Sequence, residues 1–168
     1  MAEKKILMVI PPRDFQDEVY ETCRRLWEGR GYRVSVASFE PGAVRGMQGI
    51  VAPVDVALGE VKYYNYDAIV FLGGDGATLL FDDEKARKLA KDAKYKVLGA
   101  TGNAAILLAL SGAAEGKKVT GPSESAGLIL QGKATFTGRP IEVDGKLITI
   151  QDASMAEHLA NAVVKALE

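Results

Sequence analysis

The sequence is poor in the residues that most often carry redox, disulfide or metal chemistry. It contains one cysteine, Cys23, and one histidine, His158, among 168 residues. A single cysteine excludes an internal disulfide, and a cytoplasmic location is then the default expectation. Because neither residue belongs to a cluster with the spacing of metal ligands, we expect no bound metal and no cofactor.

Long apolar runs and an excess of charge of one sign are also missing. No segment approaches the roughly 18 apolar residues of a membrane span. The run near the start is only about five residues long before Pro11 and Pro12, which is typical of a buried strand rather than of a signal peptide. Lys and Arg number 21 against 22 Asp and Glu. We therefore expect neither nucleic acid nor a membrane as a partner.

Strand patterns alternate with helix patterns along the chain. The length, with 48% hydrophobic residues, predicts one globular domain over residues 1–168. "KKILMVI", "YDAIVFLGGDG" and "YKVLGA" are continuous apolar strands, whereas "DFQDEVYETCRRLWEGRGY" has an apolar face at helical spacing, with Asp14 as a candidate N-cap. This alternation predicts a three-layer α/β sandwich, with helices on both faces of a mostly parallel sheet.

The C-terminal third carries a different pattern. "ATFTGRPIEVDGKLITI" predicts a β-hairpin that turns at Asp144 and Gly145. The chain then ends in a helix, "SMAEHLANAVVKAL", which contains His158. We interpret His158 as a surface residue and Cys23 as a packing residue on its helix.

Three loops follow predicted parallel strands: "IPPRDFQDE", "LGGDGAT" and "GATGNAA". Ligands of such sheets lie beyond the carboxyl ends of the strands, so the functional residues are expected in these loops. Asp14, Asp17 and Glu18 in the first loop either complement the dipole of the following helix or supply an acid–base group. Glu124, further along, is interpreted as part of a helix start.

The glycine turn in the second loop has three interpretations. It is a structural strand-to-helix turn, an anion or oxyanion site formed by backbone N–H groups, or a phosphate loop. The letters "GGDG" resemble the loop of NAD kinases and diacylglycerol kinases. That match covers four residues, and those families carry a second β-rich domain for which this chain has no room.

Taken in order, the motifs resemble those of the DJ-1/PfpI superfamily, which has a flavodoxin-like fold and belongs to the class I glutamine amidotransferase-like proteins. The resemblance rests on "ILMVIPPRDFQDEVYETCRRLWEGRGYRVSVAS", "YDAIVFLGGDGA", "KVLGATGNAAILLA" with "GKKVTG", and "GKATFTGRPIEVDGKLIT". It implies the fold given above, with a C-terminal hairpin, and a homodimer or larger homo-oligomer. The family includes protease- or amidase-like, glyoxalase-like and chaperone-like members.

The resemblance also implies that the reactive groups have been replaced. Without gaps, the nucleophilic cysteine of the family falls on Gly102 and its histidine on Asn103. The glutamate of the first loop falls on Gln16, although a shift of two residues would place Glu18 there. Because a glycine cannot attack a substrate, the nucleophile elbow is interpreted as disarmed, and the protein as a pseudoenzyme.

We therefore expect a pocket for a small anionic or carbonyl ligand, which the protein binds without turnover. Its predicted residues are Gln16, Glu18, Gly73, Gly74, Asp75, Thr101, Gly102 and Asn103. The alternative is an intracellular protease- or amidase-like or glyoxalase-like enzyme that works without a cysteine, with Glu18 or Asp14 as the acid–base group. Thr101 is a weak candidate nucleophile. A third hypothesis is a stable scaffold from which the elbow was removed by design.

Overall fold

A seven-stranded sheet forms the centre of the molecule. The computed structural model describes residues 3–168, so the first two residues of the expected domain lie outside it. The strands are β1 (Lys5–Val9), β2 (Arg33–Ser38), β3 (Gly42–Arg45), β4 (Val51–Val54), β5 (Val56–Ala57), β6 (Ala68–Phe71), β7 (Val97–Thr101), β8 (Lys118–Val119), β9 (Thr135–Phe136), β10 (Ile141–Asp144) and β11 (Leu147–Ile150).

The order across the central sheet is β10-β11-β7-β6-β1-β2-β5. The pairs within it are parallel, except for the antiparallel pair of β10 and β11. Strands β3 and β4 form a separate antiparallel hairpin, and β8 pairs with β9. The expectation of a mostly parallel sheet with a C-terminal hairpin is confirmed.

Helices cover both faces of this sheet. They are α1 (Asp17–Gly29), α2 (Thr78–Phe81), α3 (Glu84–Asp92), α4 (Ala105–Leu110), α5 (Ala126–Gln131) and α6 (Ala156–Leu167). The α1–α6 layer packs on one face, where the indole N–H of Trp27 donates to the carbonyl of Ala160 at 3.1 Å. Helices α2 to α5 pack on the other face. Both faces are buried, as the continuous apolar strands predict.

Two local predictions were wrong. Asp14 does not cap α1: it has a left-handed φ of 53°, and Gln16 occupies the N-cap position instead. The hairpin turns one residue later than predicted, at residues 145–146, and Thr135–Phe136 pair with β8 rather than extending the hairpin. In both places polar residues with turn propensity lie next to each other, so the sequence pattern alone does not fix the boundary.

Strands β1, β6 and β7 are neighbours, so the three loops that follow them meet at one edge of the sheet. This edge carries the candidate site. No helix of residues 3–168 has the length and apolar character needed to cross a bilayer.

Candidate functional site

The turn after β7 has the geometry of a nucleophile elbow, a sharp strand-to-helix turn. Thr101 ends the strand, and Gly102 follows with φ +54°, in the left-handed region that favours glycine. A Cβ added to Gly102 would lie 2.9 Å from Nε2 of Gln16. The tip of the elbow therefore faces the Gln16 side chain, and not a carboxylate.

A chain of hydrogen bonds fixes Gln16 over the elbow. Its backbone N–H donates to the carbonyl of Gly73 at 2.9 Å. Its Oε1 accepts from the hydroxyl of Thr101 at 2.6 Å, and that hydroxyl in turn accepts from the N–H of Gly73 at 3.0 Å. Because Oε1 is held by Thr101, the amide nitrogen of Gln16 points to the space above Gly102.

The second glycine of the turn is paired with Asn103. The N–H of Gly74 donates to Oδ1 of Asn103 at 3.0 Å, and Nδ2 of Asn103 donates back to the carbonyl of Gly74 at 3.0 Å. Gly74 has φ +135°, and a Cβ there would lie 2.9 Å from Cα of Phe15. The two N–H groups of the glycine turn, from Gly73 and Gly74, are thus both occupied by side chains of the elbow.

A cleft of about 430 Å³ opens above the elbow. Gln16, Gly102 and Asn103 line its floor. The other lining residues form an apolar wall and a polar rim, and they include Met47, Phe81, Ile106, Pro122, Leu128, Asp75, Glu124, Gln151 and Asp152. Three of these carry carboxylates, and among the described residues no Lys or Arg lines the cleft. The local field therefore disfavours an anion.

Glu18 lies apart from this cleft. Its side chain is exposed, and it lines a neighbouring groove of about 280 Å³ together with Met47 and Asp152. Asp14 pairs at 3.9 Å with Arg13, and both side chains are largely solvent-accessible. Neither carboxylate is among the residues above Gly102, so the shift that would align Glu18 with the elbow does not match the structure.

Asp17 has a structural role next to the site. Its carboxylate is buried and accepts hydrogen bonds from the backbone N–H groups of Gln48 at 2.8 Å and Ile50 at 2.9 Å. These bonds fix the β3–β4 turn against the start of α1. Met47, in the same turn, is thereby placed at the mouth of the cleft.

The surroundings of the other candidate residues, Thr101, Cys23 and His158, do not activate them for catalysis. Thr101 is fully buried, and its hydroxyl is engaged by Gln16 and Gly73. Burial in an apolar layer raises the pKa of the Cys23 thiol to about 12. His158 is exposed on α6. Within residues 3–168 no three His, Cys, Asp or Glu side chains approach closely enough to hold a metal ion.

Of the predicted pocket residues, five line the cleft: Gln16, Gly74, Asp75, Gly102 and Asn103. Gly73 and Thr101 are buried next to it and are hydrogen-bonded to Gln16 and to each other, whereas Glu18 lies outside it. Sequence reasoning missed Gln151 and Asp152. They follow β11, which is parallel to β7 and ends at the same edge of the sheet. The sequence pattern indicates only the antiparallel pairing of β11 with β10, and not its parallel pairing with β7. Because ligands lie beyond the carboxyl ends of parallel strands, the second pairing would have identified both residues.

Comparisons with known proteins agree with this architecture. The family model described as the DJ-1/PfpI family matches residues 4–166. An uncharacterized protein of Methanocaldococcus jannaschii is 33% identical over 173 aligned positions, covering 100% of this chain and 84% of that protein. A protein of Pyrococcus furiosus named deglycase PfpI is 26% identical, covering 85% of this chain and 87% of its own length.

Solved structures give the same result. A ThiJ/PfpI domain protein from Brachyspira murdochii superposes with a TM-score of 0.93 at 29% identity, covering 99% of this chain and 98% of that one. DJ-1beta of Drosophila melanogaster superposes with a TM-score of 0.87 at 21% identity, covering 99% and 91%. The second likeness concerns the fold alone.

Proposed function

We propose that this chain, which belongs to the DJ-1/PfpI family, does not carry out covalent catalysis. Its elbow cleft instead binds a small neutral carbonyl compound. The observation that carries this proposal is the position of Gln16. Its Nε2 lies 2.9 Å from where a side chain on Gly102 would begin, while its Oε1 is held by Thr101. An amide thus faces a glycine where covalent catalysis of the family type would need a carboxylate facing a thiol.

The absence of a nucleophile at the elbow is argued from position. The gap-free match to the family places its cysteine on Gly102 and its carboxylate on Gln16. Gln16 is the first-loop residue that faces Gly102, which supports this match over one that uses Glu18. A carboxylate beside a thiol tunes the pKa of the thiol, whereas a neutral amide beside a glycine has nothing to ionise. Cysteine chemistry of the family type is therefore not expected.

The N–H groups of Gly73 and Gly74 in the glycine turn are already engaged. Hydrolysis through a tetrahedral intermediate needs backbone N–H groups aimed at the developing negative charge. Here the N–H groups of Gly73 and Gly74 donate instead to Thr101 and Asn103. Asn103 uses both ends of its amide on Gly74, so displacing Asn103 from Gly74 would break two hydrogen bonds.

The chemistry of the cleft favours a neutral carbonyl ligand over an anion. Asp75, Glu124 and Asp152 surround the opening and repel negative charge. Among the described residues Nε2 of Gln16 forms no hydrogen bond, so it can donate to a carbonyl oxygen. The apolar wall accommodates a small alkyl group. The free N–H donor and the apolar wall together select a compact amide, ketone or aldehyde.

A matched pair of ligands tests this proposal. Lactamide and lactate have nearly the same shape, but lactate carries a negative charge. Titration of the ¹⁵N-labelled protein should move the amide resonances of Gly102, Asn103 and Asp152 with lactamide and much less with lactate. If lactate bound as well as lactamide, or if neither moved these resonances, the proposed ligand class would be wrong.

The variant Gln16→Glu tests the contribution of the Nε2 donor of Gln16 to ligand binding. A carboxylate at this position still accepts the Thr101 hydroxyl, but it presents an oxygen where Nε2 now lies. Lactamide binding should therefore be lost while the fold is retained. The exposed neighbour Glu18 provides the control, because Glu18→Gln changes charge on the same helical turn without entering the cleft.

The alternative function is an enzyme that uses Glu18 without a cysteine. Some relatives carry the name deglycase, and such an enzyme would lose its activity in Glu18→Gln.

The assembly and location of the protein are further proposals. The family resemblance implies a homodimer or larger homo-oligomer, and the single cysteine makes the cytoplasm the default location. Sedimentation velocity checks the assembly, and a monomer at all concentrations would contradict it.

A further inference from the structure

A second groove lies at the opposite edge of the sheet from the elbow. It has a volume of about 470 Å³ and is bounded by the segment before β7, the segment after α4 and the β10–β11 turn. Strand β7 begins beside this groove and ends at the elbow five residues later. At about 3.3 Å per residue the two sites are separated by roughly 15 Å, and they share no lining residue.

Three lysines line this groove: Lys94, Lys117 and Lys146. None of them forms an ion pair with a carboxylate anywhere in residues 3–168. The one acidic residue of the lining, Asp144, accepts a hydrogen bond from the backbone N–H of Lys118 at 2.8 Å. The groove therefore concentrates positive charge, although the whole chain has a net charge of −1.

The hairpin turn helps to bring these charges together. Gly145 has φ +64°, and a Cβ at that position would lie 3.7 Å from Nζ of Lys117. The ammonium group of Lys117 consequently lies against the turn that also carries Lys146. The groove thus joins lysines from two segments that are distant in the sequence.

An exposed aromatic ring completes the lining. Tyr95 is 79% exposed. Nζ of Lys94 lies 5.1 Å from the centroid of the ring, within the range of a cation–π contact. A large ring kept in solvent beside unpaired cations presents a stacking surface for a planar group that itself carries negative charge.

We propose that this lysine groove, formed by Lys94, Tyr95, Lys117 and Lys146, binds a small molecule of the nucleoside monophosphate class. The lysines hold the phosphate as point charges, and the ring of Tyr95 stacks on the base. The site is separate from the elbow cleft, in which carboxylates repel such a ligand.

Four probes test this proposal on the intact protein: adenosine monophosphate, ribose 5-phosphate, adenosine and inorganic phosphate, each titrated at low ionic strength and followed by ¹⁵N resonances. Adenosine monophosphate should bind most tightly and move the resonances of residues 94–96, 117 and 145–146. The affinity should fall as salt is raised, because the lysines are exposed and screened.

Lysine variants locate the site. Lys117→Gln and Lys146→Gln should each weaken binding of adenosine monophosphate by roughly threefold, as expected for exposed charges. Tyr95→Ala should reduce its advantage over ribose 5-phosphate. The control Lys165→Gln removes the same charge from an exposed position on α6, outside the groove, and should leave the affinity unchanged.

Three results would overturn the inference. The first is the absence of resonance shifts at millimolar adenosine monophosphate. The second is an equal loss of affinity in Lys165→Gln, which would indicate non-specific charge attraction. The third is equal affinity for inorganic phosphate and adenosine monophosphate, which would leave no role for Tyr95. None of these results bears on the elbow cleft, which is tested with lactamide.

Discussion

The hydroxyl of Thr101 donates to Oε1 of Gln16 at 2.6 Å, across 85 residues of sequence. This one contact joins the first loop to the end of β7 and determines which end of the Gln16 amide faces the cleft. The site is therefore an organised hydrogen-bond network, and its groups are held in place by one another rather than poised for reaction.

Replacement of Thr101 by valine should destabilise the protein. Valine has nearly the same shape but leaves Oε1 of Gln16 and the N–H of Gly73 without their partner. The expected loss in the free energy of unfolding is about 1–3 kcal/mol, measured by urea denaturation. Thr101→Ser keeps the hydroxyl and should cost less. If valine proved as stable as threonine, the network would not be holding the site.

An alanine at Gly102 should also be costly. The backbone there is left-handed, and the new Cβ would lie 2.9 Å from Nε2 of Gln16. We expect a loss of about 1–3 kcal/mol in the free energy of unfolding. Gly127 is the matched control, because it lies within α5 and a Cβ there meets nothing within 4 Å. Gly127→Ala should be neutral or stabilising by about 0.5–1 kcal/mol.

Asp17→Asn tests how the β3–β4 turn is held at the mouth of the cleft. The asparagine keeps one acceptor but turns an N–H₂ group towards one of the two backbone donors, from Gln48 and Ile50. Stability should fall by roughly 1–3 kcal/mol, and amide exchange should accelerate in residues 46–50. Glu18→Gln, at an exposed position, should change stability by less than about 1 kcal/mol. Equal effects in both variants would exclude this role of Asp17.

Cys23 provides a prediction about pH. The thiol has an ordinary pKa of 9.0, and burial raises it to about 12 in the folded protein. Between these values the unfolded state has lost the proton and the folded state keeps it. The free energy of unfolding should therefore fall by about 1.4 kcal/mol per pH unit in this range, and the contribution is constant below it.

The Cys23→Ala variant should lack this part of the pH dependence, because it has no thiol to ionise. In the native wild-type protein at pH 8, a thiol reagent should react only through opening of the α1–α6 layer. Rapid labelling of native Cys23 would show that the thiol is accessible, contrary to its full burial.

The layers of the fold were predictable because they follow from the spacing of apolar residues along the sequence. The strand "KKILMVI" is apolar throughout and is buried on both faces, and α1 shows its apolar face at spacings of three and four. The start of α1 was not predictable in the same way. Asp is a common N-cap residue. However, a tertiary hydrogen bond from the N–H of Asp14 to the carbonyl of Arg45 holds this residue outside the helix.

The site was partly predictable for a related reason. The glycine turn and the elbow follow strands, so their proximity comes from topology. The partners within the site do not, since nothing in the local sequence indicates that Asn103 pairs with Gly74 or that Gln16 pairs with Thr101. Such contacts depend on the orientation of side chains from separate loops, which the local sequence does not determine.

The most direct test of the central claim is the conversion of excess methylglyoxal to lactate over many turnovers, measured with the wild-type protein and with Glu18→Gln. We expect both proteins to give the rate seen in buffer alone, because Gly102 supplies no attacking group and the N–H groups of Gly73 and Gly74 are already engaged. Sustained production of lactate by the wild-type protein would contradict this expectation, and its loss in Glu18→Gln would identify Glu18 as the acid–base group.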